Sequence, residues 1–210
     1  MKSFSKSILG SAAAIAAIGF GAQAQASIVT GSLSSWEATV GTYAETTNFG
    51  VPDSTPISGF TTTDGVPVSV NETAVSIGDG WATWSGGYTG QILADYSSTS
   101  VTYALGAAVK GFGLFVEPDP YSVYDITLTT SDGQSLTQAV NGYAGAAFFG
   151  WTGSGVTSFT LSSATDFGAG DVFSAAGGVP EPATWAMMLM GFGAMGAGLR
   201  GARRRQTATA

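Results

Sequence analysis

The chain has 210 residues and a mass of 21.1 kDa, of which 10% are charged, 44% are hydrophobic and 31 are glycine. It contains no cysteine and no histidine, which excludes disulfides, thiol nucleophiles, Ser-His-Asp triads and zinc sites of the usual Cys/His kind. From Ser27 to Gly178 there are 13 acidic residues and one base, Lys110, a net charge of −12, so nothing there can clamp phosphates and a nucleic-acid partner is excluded.

Residues 1–26 read as a secretory signal peptide. Lys2 and Lys6 form the positive start, Ile8–Phe20 is the apolar stretch, and two small-x-small patterns place cleavage after Ala24 or Ala26, with Ala26 favoured. Export by the Sec machinery is the expectation. The mature body, 27–174, has the size of one domain. Near its start Ser34-Ser35-Trp36-Glu37 fits a capping box and predicts a short helix from Ser35 to Val40, stopped by Gly41.

Strands are expected next, at Tyr43–Phe49, Val66–Asn71, Thr73–Ile77, Trp81–Trp84, Gln91–Tyr96 and Val101–Leu105. Val109–Glu117 is apolar enough to be central. Val123–Thr130 alternates, with Tyr124, Ile126 and Leu128 on one face. Asp132-Gly133 predicts a two-residue hairpin turn into Gln134–Val140. Ala146–Thr152 and Val156–Ser163 read as a further antiparallel pair across Gly153-Ser154-Gly155, and Asp171–Phe173 as a closing strand. Short strands with turns at steady spacing predict a mainly β fold: an antiparallel two-sheet β-sandwich, jelly-roll-like, with one short N-terminal helix.

Three kinds of site are candidates in this body. Trp81, Trp84 and Tyr88 cluster within eight residues and could stack on sugar rings, with Tyr121 and Tyr143 in loops; core packing is the competing reading. Phe112, Phe115, Phe148, Phe149, Phe159 and Phe173 are core candidates, although Phe148 and Phe149 cannot share one sheet face. Glu117, Asp119 and Asp125 could offer oxygens to calcium, as could Asp166 and Asp171, against the reading that these acids are solvated loop and edge charges. No cofactor is otherwise expected. No carboxylate pair stands in an apolar run that would mark a glycosidase, and the body is expected not to be an enzyme.

After a short linker, 175–179, the C-terminus has three parts in order. Pro180-Glu181-Pro182 is stiff and extended. Ala183–Leu199 is uncharged and predicts a transmembrane helix that opens at Trp185-Ala186. Arg200, Arg203, Arg204 and Arg205 then hold that end in the cytoplasm, and 206–210 is a tail. The expectation is a membrane-anchored precursor with its body outside.

This tripartite tail, 180–205, resembles the PEP-CTERM sorting signal in its PEPxxWA form. The resemblance implies recognition by an exosortase, an integral-membrane transpeptidase-like enzyme. It also implies transient contact with the inner membrane and a Gram-negative host that makes exopolysaccharide. The run from Gly111 to Phe173 resembles the middle domain of many PEP-CTERM proteins, which implies a lectin-like shape. The expected role is a cell-surface or extracellular biofilm-matrix protein with a structural or adhesive body. A carbohydrate-binding module, supported by calcium and acting on exopolysaccharide, is the alternative.

Overall fold

A computed structural model describes residues 26–78, 90–95, 98–177, 188–196 and 200. Among the described residues, twelve antiparallel strands and one capped helix make up the body. They are, in order, β1 (Ile28–Thr30), α1 (Leu33–Val40), β2 (Ala44–Thr46), β3 (Thr55–Thr61), β4 (Pro67–Ile77), β5 (Ile92–Asp95) and β6 (Ser100–Leu105). Next come β7 (Val109–Pro118), β8 (Val123–Thr130), β9 (Ser135–Asn141), β10 (Ala147–Thr152), β11 (Ser158–Ser163) and β12 (Phe167–Ala176).

The expected two-sheet jelly-roll sandwich is not what forms. The strands make one hydrogen-bonded sheet in the order β1-β10-β7-β12-β5-β4-β6-β11-β8-β9, with β2 paired to β12 and β3 to β4. The sheet curls into a nearly closed barrel. Among the described strands β4 is the longest. Its eleven residues were expected as two strands broken near Asn71-Glu72, yet it runs through as one. Val68–Val70 pair with β6 and Val75–Ile77 pair with β5, so one strand carries the ladder from one side to the other.

The two ends of the path, β1 and β9, lie against each other without a backbone ladder between them. Side chains bridge that seam. Gln138 Nε2 of β9 donates to the Phe148 carbonyl of β10 at 2.7 Å, and Ser27, just before β1, reaches the β8–β9 turn. The expected pairing of Ala146–Thr152 with Val156–Ser163 also fails. β10 pairs with β1 and β7, while β11 pairs with β6 and β8. The glycines between them adopt positive φ, and Gly153 N–H bonds to the Lys110 carbonyl, so the chain leaves β10 instead of folding back on it.

Alternation sorts the side chains. Phe112, Leu114, Val116, Ile126, Leu128, Phe149, Trp151, Phe159 and Leu161 fill the barrel interior and are all but inaccessible to water. A second apolar cluster lies on the outside, where α1 covers β10, β7 and β12. Trp36 packs there on Phe148 and Phe173, with Leu33, Val40 and Phe115 around it, and its indole N–H donates to the Trp151 carbonyl at 2.8 Å. Phe148 and Phe149 therefore serve opposite faces of β10. A Cβ on Gly111 would stand 2.6 Å from Val40 Cγ1, so the glycine-rich strand β7 is what lets the helix sit so close.

The N-cap of α1 lies two residues before the expected one. Ser32 is the N-cap and accepts from Ser35 N–H, while Gly41 closes the helix with φ of 73° and donates to the Glu37 carbonyl. Glu37, free of the capping box, accepts from Tyr43 Oη at 2.5 Å; that bond is the main reason the phenol is held above its usual range. The β8–β9 connection is a three-residue turn, Ser131-Asp132-Gly133, with Gly133 at φ of 87° and Thr130 N–H bonded to the Gln134 carbonyl.

β12 continues through Ala175 and Ala176, the first residues of the expected linker, and Gly177 N–H still bonds to the Ala108 carbonyl. The transmembrane helix expected over Ala183–Leu199, and with it the membrane-anchored precursor, is corrected as well. Among the described residues no helix is long and apolar enough to cross a membrane. Within the tail, residues 188–196 are helical. Gly191, Gly193 and Gly196 lie within it, each weakening a helix by about 1 kcal/mol relative to alanine.

Candidate functional site

The sorting residues Pro180, Glu181, Pro182, Trp185, Ala186, Arg203, Arg204 and Arg205 lie outside the described residues, as do Ala24 and the aromatic group Trp81, Trp84 and Tyr88. Arg200 is described and exposed. What the structure does place is the root of the tail. β12 lies between β7 and β5 in the sheet and ends at Ala176, four positions before Pro180.

The acidic residues are brought together in pairs that sequence spacing did not foretell. Glu117 is fully buried on β7 opposite Gly168, while Asp125 is exposed on β8 opposite Ala139. Asp119 follows β7 and donates its N–H to the Asp166 carbonyl at 3.1 Å; partial burial, then the Asp166 charge, raises its carboxyl above the ordinary range. Among the described residues no three acidic side chains stand together in a way that could hold a metal ion.

Asp171 meets Glu45 instead. It sits at φ of 50° in the bulge of β12 between Gly170 and Phe173, and Glu45 of β2 is registered opposite Phe173. Burial first, and then a hydrogen bond and repulsion from the Glu45 carboxyl, push Asp171 up to about 7.

A cavity of about 360 Å³ opens where α1, β1, β7 and the end of β10 meet, lined by Ala26, Ile28, Thr39, Val40, Lys110 and Thr152 among others. Its lining combines hydroxyls, methyl groups and one ammonium. On another part of the surface Tyr121 and Tyr143 stand 64% and 73% exposed, edge to face at 5.6 Å. Their loops are stitched by Gly142 N–H to the Ser122 carbonyl at 2.9 Å and by Tyr143 N–H to Asn141 Oδ1 at 3.0 Å.

Beside this geometry stand two comparisons. Residues 178–205 match the PEP-CTERM protein-sorting motif. Comparison with curated proteins finds no similar chain. The protein is therefore a PEP-CTERM-bearing, β-rich, barrel-like protein, and its motif implies recognition by an exosortase.

Proposed function

We propose that this is an exported protein, delivered by its C-terminal motif to an exosortase, whose barrel is a non-enzymatic structural or adhesive body of an exopolysaccharide-bearing matrix. The observation that carries the reading is the sorting motif at 178–205, with Pro180-Glu181-Pro182 at its head. The position of β12 supports it: the motif follows a strand paired on both sides, so the segment offered to the enzyme is rooted in the barrel and not in a loose terminus.

The test is the intact mass of the product made from the full chain in a host that has an exosortase. The mature protein is expected to lack the residues from near Pro182 onward. Glu181→Ala is expected to leave export intact and the C-terminus uncut. A wild-type product that keeps Arg203–Arg205 would remove the proposal.

The exposed Tyr121–Tyr143 pair favours a second reading, a carbohydrate-binding module. Phenol rings held on stitched loops present apolar faces that stack on sugar C–H surfaces, with hydroxyls at their edges. Under this reading the double variant Tyr121→Ala/Tyr143→Ala loses retention on the host's exopolysaccharide with its melting temperature unchanged. Equal retention of variant and wild type leaves the structural role.

A further inference from the structure

Ser27 is 3% exposed, although the residue before it, Ala26, is exposed. Its main-chain nitrogen lies 2.6 Å from Asp132 Oδ2, and its hydroxyl donates to Asp132 Oδ1 at 3.0 Å. Thr130 Oγ1 also donates to Asp132 Oδ1 and stands 3.4 Å from Ser27 Oγ. One carboxylate in the β8–β9 turn thus gathers a main-chain N–H and two hydroxyls, with the start of β1 brought to it from 105 residues away. Those bonds, the Thr130 hydroxyl first and the Ser27 nitrogen next, hold the Asp132 carboxyl below its ordinary range.

The nitrogen concerned is the one that signal-peptide removal after Ala26 would release. Cut there, it changes from a neutral amide donor to an ammonium, already at hydrogen-bond distance from an ionised carboxylate. Cut after Ala24, the terminus would be Gln25, and Ser27 N would remain an amide. We infer that the export cut falls between Ala26 and Ser27, and that the new α-ammonium of Ser27 pairs with Asp132 to lock the β1–β9 seam of the barrel. This inference rests on the export reading above. The cut is a hydrolysis: water adds across the Ala26–Ser27 amide, leaving a carboxylate on the leader and the ammonium on the body.

The groups around the nitrogen leave the pairing little competition. The β8–β9 turn presents Asp132; β7 presents Lys110, a like charge, in the cavity beside Ala26; α1 presents Thr39 and Val40 there, and β10 presents Thr152. An unpaired α-amine titrates near 7.7–8.0. An ammonium held by a carboxylate titrates higher.

The full chain is expressed in an exporting Gram-negative host, and the exported product is purified. Its N-terminus is read by mass spectrometry, and the pH midpoint for acylation of its α-amine is then measured in the folded state. The expected product begins at Ser27, with a midpoint raised by about one pH unit, so that labelling near neutral pH is about tenfold slower than for an ordinary terminus. Asp132→Asn is expected to return the midpoint to the ordinary value. If that variant gives no folded product, the urea-unfolded wild type supplies the same reference. An exported product that begins at Gln25 overturns the inference and leaves export standing. A start at Ser27 with an ordinary midpoint overturns the ion pair. A chain retained in the cell with its leader intact overturns the export reading, and the inference with it.

Discussion

At the scale of single residues, the Asp171–Glu45 pair makes stability depend on pH in an unusual direction. A carboxyl raised to about 7 keeps its proton in the folded state, whereas the unfolded chain releases it near 3.9. Between those values the folded state binds more protons, so stability falls as pH rises through that window and levels off above it. The expected loss from pH 5 to pH 8 is about 1–2 kcal/mol, because Asp171 is only half-buried and solvent screens the pair. Asp171→Asn removes the ionisation, and asparagine tolerates the positive φ at this position. Thermal melts at both pH values should therefore differ in the wild type and converge in the variant. Spacing alone could not have shown this pair: Glu45 and Asp171 are far apart in the chain, and only the β2–β12 register joins them.

At the scale of elements, α1 acts as a cover fastened by one side chain. Trp36→Ala removes the indole that fills the outer cluster and its bond to the Trp151 carbonyl, at an expected cost of about 3–5 kcal/mol. The barrel interior does not use Trp36, so the urea midpoint should drop while the sheet signal in circular dichroism persists. The strands most open to sequence reading were those with one wet face. β8 runs Val123–Thr130 as expected, with Ile126 and Leu128 buried and Thr129 exposed.

The strands that eluded it have physical reasons. β12 (FGAGDVFSAA), of which only Asp171–Phe173 was expected, is pressed between the interior and the outer cluster, so it carries small residues in place of an alternating pattern. β3 contains Pro56 and Gly59, which read as breaks, yet it pairs only with β4 and an edge strand tolerates proline. Closure was beyond reach as well. A sandwich and a barrel show the same alternation along each strand, and only the unbroken course of β4 separates them. The sorting motif was legible because its signal is local and linear, although the membrane-spanning helix expected within it was not borne out, whereas the acidic pairs depend on register.

At the scale of the whole molecule, the barrel is stitched by contacts distant in sequence. Ile28 is registered with Thr152, and the seam at Ser27 waits for the β8–β9 turn. Such non-local pairing must close long loops before it is rewarded, so refolding from urea should take milliseconds to seconds. Stopped-flow fluorescence of the buried Trp36 and Trp151 reports it, and completion within microseconds would contradict the topology.

The place where the chain leaves the barrel also has a mechanical meaning. If the protein is held by the segment beyond Gly177, every tug reaches the body through β12. That strand is gripped over most of its length by β7 on one flank and by β5 and β2 on the other. An edge strand can be peeled away one hydrogen bond at a time, as a zipper opens. A strand flanked on both sides must slide past two neighbours at once, so many bonds share the load. The tether is fixed where the fold can best resist being pulled apart.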